Sequence, residues 1–285
     1  MSGWGGLELR TADLRGLRTA WLDNGKRDRP VALFLHGYLD TPRAWSEQVA
    51  AFCGGYQVLL PFGRGVGESQ PPRDTRRYGA YSTLLDHLEI LRLNDPDGSR
   101  PVHVVGHDVG GVHAWMLAAH PNPRVKTVTI LNSAHPKQYL RRMLWPRQLL
   151  KSWYVGAFQV PYVCEALLWI FHDELMRALS SEGWRPPADE PRIKDFQEAA
   201  VNAMNQYRQF VRDIPHFLRE NAGPTATPVL AISSEDDRYL VPPSTLEFAD
   251  IASRVTVRVI KGKHWIHREQ PERINRLIAD FWSQP

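Results

Sequence analysis

Pro101-Val102-His103-Val104-Val105-Gly106-His107-Asp108-Val109-Gly110-Gly111-Val112-His113-Ala114-Trp115-Met116-Leu117-Ala118-Ala119 is the stretch on which the reading of this chain turns. Its first part, Pro101 to Val105, is short, β-branched and closed by Gly106, which reads as a buried strand. Val112 to Ala119 has helix-forming composition, so Gly106-His107-Asp108-Val109-Gly110 is a strand-to-helix turn. A residue at the centre of such a turn is strained, with its side chain thrust out above the sheet, and flanking glycines remove Cβ atoms that would clash. Asp108 is therefore a candidate nucleophile. The plainer reading, a carboxylate favoured at a helix N-terminus, explains Asp108 alone but not the glycines around it.

Similar runs lie on both sides. Leu7 to Thr11 and Leu17 to Leu22 alternate enough for an opening antiparallel pair. Val31 to Leu35, Tyr56 to Leu60, Val125 to Leu131, Val229 to Ser233 and Val255 to Ile260 are apolar runs that suit strands buried on both faces. Helical stretches around Trp45 to Phe52, Tyr81 to Leu93 and Val112 to His120 alternate with them, giving an α/β fold with a mostly parallel sheet. Chemistry in such a sheet belongs at the carboxyl ends of the strands. The alternation breaks after Leu131, and Pro136 to about Asn221 reads as a Trp- and Tyr-rich helical insertion. The expected division is a discontinuous core of residues 1–135 and 223–285 with a helical cap over 136–222, and Asn221-Ala222-Gly223 as a hinge-side linker.

With 285 residues, 43% of them apolar, the chain can bury a large core. Its formal charge is only +4, and Lys and Arg look scattered, which gives neither nucleic acid nor an anionic membrane a basic face. Met1 to Arg10 holds no apolar run of signal-peptide length, and no transmembrane run of about 18 apolar residues occurs. The expectation is a soluble, cytoplasmic protein. Cys53 and Cys164 lack zinc or CxxC spacing and read as reduced structural thiols.

Two further residues follow strands and complete a constellation with Asp108. One carboxylate of Ser234-Glu235-Asp236-Asp237 follows the run from Val229, and His264 follows the run from Val255. An ionised aspartate attacks carbon without a base and forms an alkyl ester, which water must then cleave. His264 suits the role of general base for that second step, with an acid holding its tautomer. Asp236 and Asp237 compete for that acid, the other being a solvated loop residue. The ester carbonyl needs N–H donors, which the backbone of Tyr38 and Val109 can supply. His267 reads as a helix-surface histidine, and His36 and His107 as braces for neighbouring backbone.

Val31 to Gly37, Gly63-Arg64-Gly65-Val66-Gly67-Glu68-Ser69, Gly106 to Gly111, and His264-Trp265 through Gln270 to Asn275 together resemble α/β-hydrolase-fold epoxide hydrolases and haloalkane dehalogenases. The resemblance spans nearly the whole core and implies the α/β-hydrolase fold with an inserted cap. It also places the acid at Asp237, because Ser234-Glu235-Asp236-Asp237 matches the Gly-Glu-x-Asp segment of that group. Within the insertion, Trp153 to Pro161 resembles the epoxide-hydrolase segment that carries a tyrosine four residues before a Phe-Gln pair, which points to Tyr154. Asn205-Gln206-Tyr207-Arg208 resembles the second tyrosine segment and points to Tyr207. Two phenols are what epoxide opening requires, since the leaving oxygen stays on the substrate as an alkoxide and must be given hydrogen bonds or a proton.

The chain departs from the group at three places. Val109 replaces a Trp that commonly follows the nucleophile and, in dehalogenases, donates to halide. Tyr38-Leu39 replaces an aromatic residue followed by Pro, where a cis bond would now be costly. Phe62 stands where an Asp commonly precedes Arg64. Tyr139 and Tyr162 lack the matching context and are assigned to packing; Trp145, Trp153, Phe158, Trp169 and Phe171 are read as lining a tunnel or filling the cap.

The expected function is epoxide hydrolysis to a vicinal diol, without metal or organic cofactor, through Asp108, Asp237, His264, Tyr154 and Tyr207. The expected partner is a small apolar epoxide, with a homodimer left open. A haloalkane or haloacid dehalogenase using the same Asp108, and a non-catalytic binding protein on the same fold, are the competing readings.

Overall fold

The computed structural model describes residues 6–122, 124–185, 193–219 and 224–283. Eight strands form one sheet: β1 (Glu8–Asp13), β2 (Arg18–Asp23), β3 (Val31–Leu35), β4 (Gln57–Pro61), β5 (Val102–His107), β6 (Val125–Leu131), β7 (Val229–Ser234) and β8 (Val255–Ile260), in the order β1-β2-β4-β3-β5-β6-β7-β8. The opening pair is antiparallel with Glu8 opposite Asp23, and β2 joins β4 antiparallel. From β4 to β8 every pairing is parallel.

All residues of β3, β4, β5 and β7 are buried, as continuous apolar runs require when both faces are covered. Val31, Leu33 and Leu35 face one apolar layer, with Trp115 and Leu117 of α3 (Val109–Ala119) and Leu84 and Ile90 of α2 (Ala80–Asn94). Ala32 and Phe34 face the other, with Phe52 of α1 (Ser46–Phe52) and, near the C-terminus, Ile274, Ile278 and Trp282. This alternation makes the core a three-layer α/β/α sandwich. The last strand departs from expectation: in β8 only Ile260 is fully buried and Arg258 and Val259 are exposed, because β8 is an edge strand.

Between β6 and β7 the described residues contain no strand. They form α4 (Pro136–Arg142), α5 (Pro146–Lys151), α6 (Trp153–Ala157), α7 (Val163–Ile170), α8 (His172–Ser181) and α9 (Ile193–Arg219), the last with Pro215 inside it. Asn221-Ala222-Gly223 lies outside the described residues. After β8 come α10 (Ile266–Glu269) and α11 (Pro271–Trp282). No described helix is long and apolar enough to cross a membrane. Both cysteines are free thiols. The parallel register brings the residues after β3, β5, β6, β7 and β8 to one edge of the sheet, and the site is built there.

Candidate active site

Asp108 closes β5 at φ 50° and ψ −121°, a conformation that a side-chain-bearing residue rarely adopts. The turn is tight because β5 and α3 pack almost backbone to backbone: a Cβ on Gly106 would overlap the Gly110 carbonyl, and one on Gly110 would overlap the carbonyl of Leu35. The helix therefore starts at Val109, three residues before the sequence pattern predicts, and the Asp108 carbonyl accepts from Gly111 and Val112 and from Ser133 Oγ at 2.6 Å. One oxygen of the Asp108 carboxylate, Oδ2, accepts the backbone N–H of Tyr38 at 2.9 Å. Val109 is the first residue of α3, where an N–H has no partner within the helix.

Asp237 and His264 meet as expected, with His264 Nδ1 2.8 Å from Asp237 Oδ2 and both side chains buried. A carboxylate can only accept, so Nδ1 carries the proton and Nε2 is the free nitrogen. Asp237 Oδ1 accepts the N–H groups of Tyr239 at 2.7 Å and Leu240 at 2.9 Å. Burial pushes the Asp237 carboxyl up, but the His264 charge and these hydrogen bonds outweigh it and hold the group below its ordinary range. For His264 burial alone would lower the pKa; the charge and hydrogen bond of Asp237, with smaller help from Asp108, raise it above the ordinary value. Asp236 is exposed, whereas Asp237 is buried against His264.

The phenols of Tyr154 on α6 and Tyr207 on α9 line the same cavity as Asp108, a space of about 90 Å³ that Tyr139, Tyr239 and Val109 also border. Their rings meet edge to face, centroids 5.7 Å apart, and Tyr207 packs the same way on Tyr38 at 5.3 Å. Burial first, and the Asp108 charge second, push both phenol pKa values well above the ordinary value, so both stay protonated. Phe158 completes a triangle with them, 5.6 Å from Tyr154 and 5.3 Å from Tyr207. Arg208 locks the arrangement by donating to the Phe158 carbonyl at 2.8 Å and to Glu165 at 2.6 Å. A larger cavity of about 570 Å³ lies alongside and shares Tyr78, His113 and Gln206 with the first.

Several assignments made from sequence are corrected. His267 is fully buried, not on a helix surface, and its ring packs 4.5 Å from both Trp45 and His107. Tyr162 is 84% exposed rather than packed, whereas Tyr139 does pack, edge to face on Phe210 at 5.7 Å, and also borders the Asp108 cavity. Trp145, Trp153, Trp169 and Phe171 are exposed and do not border the Asp108 cavity, whereas Phe158 is packed inward against Tyr38 and Tyr207. The Tyr38–Leu39 peptide is trans, and Leu39 takes φ 61° instead. Arg64 finds a different carboxylate, Asp86 of α2 at 2.6 Å.

The backbone braces are as expected. His36 accepts from Gly63 N–H at 2.9 Å, and His107 Nε2 faces the His264 carbonyl at 3.0 Å. That carbonyl is also held by Asn132, at 2.6 Å, and sequence reasoning missed this residue. Asn132 ends β6 at φ 42°; its Nδ2 also reaches Ser234 Oγ at 2.9 Å and the Lys263 carbonyl at 3.1 Å, and its Oδ1 accepts from Ser234 N–H at 2.7 Å. An Asn directly after a strand, tolerant of positive φ, is the signal that was available.

Asp40, His107 and His267 are the described residues whose ligand atoms cluster, within 4.8 Å, as a metal would need. Asp40 already accepts from Trp265 Nε1 at 2.9 Å and faces the Arg268 guanidinium at 3.6 Å, so the cluster is arranged around a carboxylate that already has cationic and N–H neighbours.

Comparison with known proteins agrees with the architecture. A family model described as alpha/beta hydrolase fold matches residues 30–271. Human epoxide hydrolase 4 is 27% identical over 289 residues, covering 94% of this chain and 76% of that protein. The AB hydrolase superfamily protein YfhM of Bacillus subtilis is 29% identical over 298 residues, covering 97% and 98%. A solved structure from work on novel epoxide hydrolases in metagenomes of hot environments superposes with a TM-score of 0.82 at 26% identity, covering 98% of this chain and 99% of that one. The resemblance to epoxide hydrolases seen in the motifs thus extends along almost the full chain, and with its elbow, its eight-stranded sheet and its helices between β6 and β7 the chain belongs to the alpha/beta hydrolase fold family.

Proposed function

We propose that this protein is an epoxide hydrolase that opens an epoxide to a vicinal diol through an ester on Asp108, beneath a cap formed by residues 136–222. The observation that carries this reading is the meeting, in one cavity, of a carboxylate on a strained turn with two protonated phenols. An alkoxide leaving group needs such donors, whereas a halide does not. Epoxide-hydrolase relatives support the same substrate class.

Asp108 Oδ2 is tied to the Tyr38 N–H, so Oδ1 is the attacking atom. As it bonds to an epoxide carbon, the C–O bond breaks and Tyr154 and Tyr207 hydrogen-bond the departing oxygen, one of them transferring its proton. His264 Nε2 then takes a proton from water, and the resulting hydroxide attacks the Asp108 carboxyl carbon. Negative charge collects on the oxygen already facing Tyr38, with the Val109 N–H as second donor. Collapse expels the second diol oxygen as an alkoxide, which takes the proton left on the Asp108 carboxyl and frees the diol, and the proton held by His264 restores the phenol. Asp237 fixes the His264 tautomer and stabilises the imidazolium. No step calls for a metal or organic cofactor.

The test is to expose a His264→Gln variant to an epoxide such as styrene oxide and digest it. The Asp108 peptide gains the mass of the substrate, because ester formation proceeds while its hydrolysis stops. Modification of any other residue, or none while the wild type turns over, removes the assignment. Wild-type release of halide from haloalkanes, with no diol from epoxides, replaces it with dehalogenation.

A further inference from the structure

The outer side of the helices between β6 and β7 is apolar to a degree that water does not favour. Twelve of the sixteen exposed large apolar residues in the described chain fall between Leu144 and Phe171; the other four are spread singly over the rest of the molecule. Leu144 is 85% exposed, Leu150 75%, Trp153 71% and Ile170 69%. In α7 only Leu168 is buried, although the helix reads Val-Cys-Glu-Ala-Leu-Leu-Trp-Ile. Apart from Glu165, which turns inward to Arg208, the helix is apolar, and such a surface belongs in a core or against an apolar partner. The loop before it carries Pro161 and then Tyr162, held at φ 67° on a tip with its ring in solvent.

Charge identifies what covers this side. Residues 136–164 contain five cations, Lys137, Arg141, Arg142, Arg147 and Lys151, and no Asp or Glu; Glu165, the next residue, is paired with Arg208 of α9. The overall count of +4 conceals this run, which sequence reading took for scattered charge. Asp250 and Glu247, from outside the run, meet Arg141 and Arg142. Lys151 caps the uncharged Asp237 carbonyl, and Arg147 is exposed between Trp145 and Leu149. A two-fold copy of the chain can set Arg147 against its own symmetry mate, while an anionic partner pairs with it. Exposed Trp and Tyr among Leu, Ile and basic residues is the composition of surfaces that sit at the headgroup level of a bilayer.

We infer that the outer face of α5 to α7 docks on an anionic lipid surface, with Trp153, Tyr162 and Ile170 entering the headgroup boundary and Arg147 facing lipid phosphates. The inference does not depend on the reaction at Asp108. It does place Tyr154, one residue from Trp153, just behind the face that meets the lipid.

The experiment mixes the full-length protein with vesicles of phosphatidylcholine alone or of phosphatidylcholine with phosphatidylglycerol, at low and high salt, and measures co-flotation and tryptophan emission. The expected result is association with the anionic vesicles, a blue-shifted emission, and release by salt. Arg147→Glu weakens the association roughly tenfold or more, because each basic residue near such a surface contributes about a factor of five. Trp153→Ser weakens it comparably, and Leu150→Ser provides a second apolar test, each checked for native circular dichroism. Wild-type protein that stays unbound from anionic vesicles overturns the inference. If that protein is also a dimer in sedimentation and Trp153→Ser makes it a monomer, the face belongs to a second copy instead.

Discussion

The sheet edge and the helices above it contribute to the candidate site in different ways. Asp108, Asp237 and His264 stand on strand ends and are held by directional bonds: a positive-φ turn packed against glycine, two N–H groups on Asp237, and Asn132 and His107 on the His264 carbonyl. Tyr154 and Tyr207 stand on α6 and α9 and are held by ring packing with Phe158, Tyr38 and Tyr239, with Arg208 as the main polar tie. The first group depends on backbone geometry that few substitutions tolerate. The second depends on an aromatic cluster that tolerates more, because packing contacts redistribute where a lost hydrogen bond does not.

The variants that probe this difference differ widely in expected effect. Asp108→Ala removes the attacking group and lowers diol formation by roughly 100,000-fold, measured as kcat/KM on an epoxide, with folding unchanged by circular dichroism. A residual rate near wild type would mean that the sheet edge is not where the chemistry happens. Asp237→Asn lowers kcat by about 10,000-fold through the wrong His264 tautomer. It also moves the acid limb of the pH profile. His264 works as a base only when neutral, so activity falls as pH drops through its raised pKa; without the Asp237 charge that pKa falls, and the limb shifts to lower pH.

The helical half gives smaller effects. Tyr154→Phe or Tyr207→Phe each lowers kcat by roughly 10- to 100-fold, since one phenol remains to serve the alkoxide, and the double variant loses much more than either. Equal losses on an epoxide and on a substrate with a halide leaving group would show that the phenols act through packing alone. Trp153→Ser, on the outer side of the same helix, leaves kcat on a water-soluble epoxide within about twofold, as expected of a surface position away from the site. A larger loss would mean that α6 is positioned by its outer face as well as by its inner one.

The same contrast explains what could be read from the sequence. The sheet and the strand-end residues were legible because runs such as Val31 to Leu35 and turns such as Gly106 to Gly110 follow from backbone requirements written locally in residue type. Tyr154 and Tyr207 were found through resemblance, since nothing in a helical aromatic segment distinguishes a ring facing a cavity from one facing solvent. Tyr139 and Tyr162 read alike for that reason, yet Tyr139 packs on Phe210 at the cavity wall and Tyr162 stands in water. His267 was misplaced because α10 is only four residues long and is packed beneath Trp45, too short for helical periodicity to reveal its buried side. Asn132 and Asp40 act through partners more than a hundred residues away in the chain, a distance at which spacing carries no information.

Burial first and the charge on Asp108 second keep the Tyr154 and Tyr207 phenols weakly acidic, and the same charge contributes to the raised pKa of His264. An ester at Asp108 is neutral, so its formation cancels that influence on all three groups together. As that charge is lost to the forming ester, the phenol beside the alkoxide gives up its proton more readily, and His264 becomes easier to keep neutral when a base is next required. On the proposed reaction the nucleophile is thus also a clock: its own consumption resets its neighbours from the resting state to the state that the second half of the cycle needs, with no moving part.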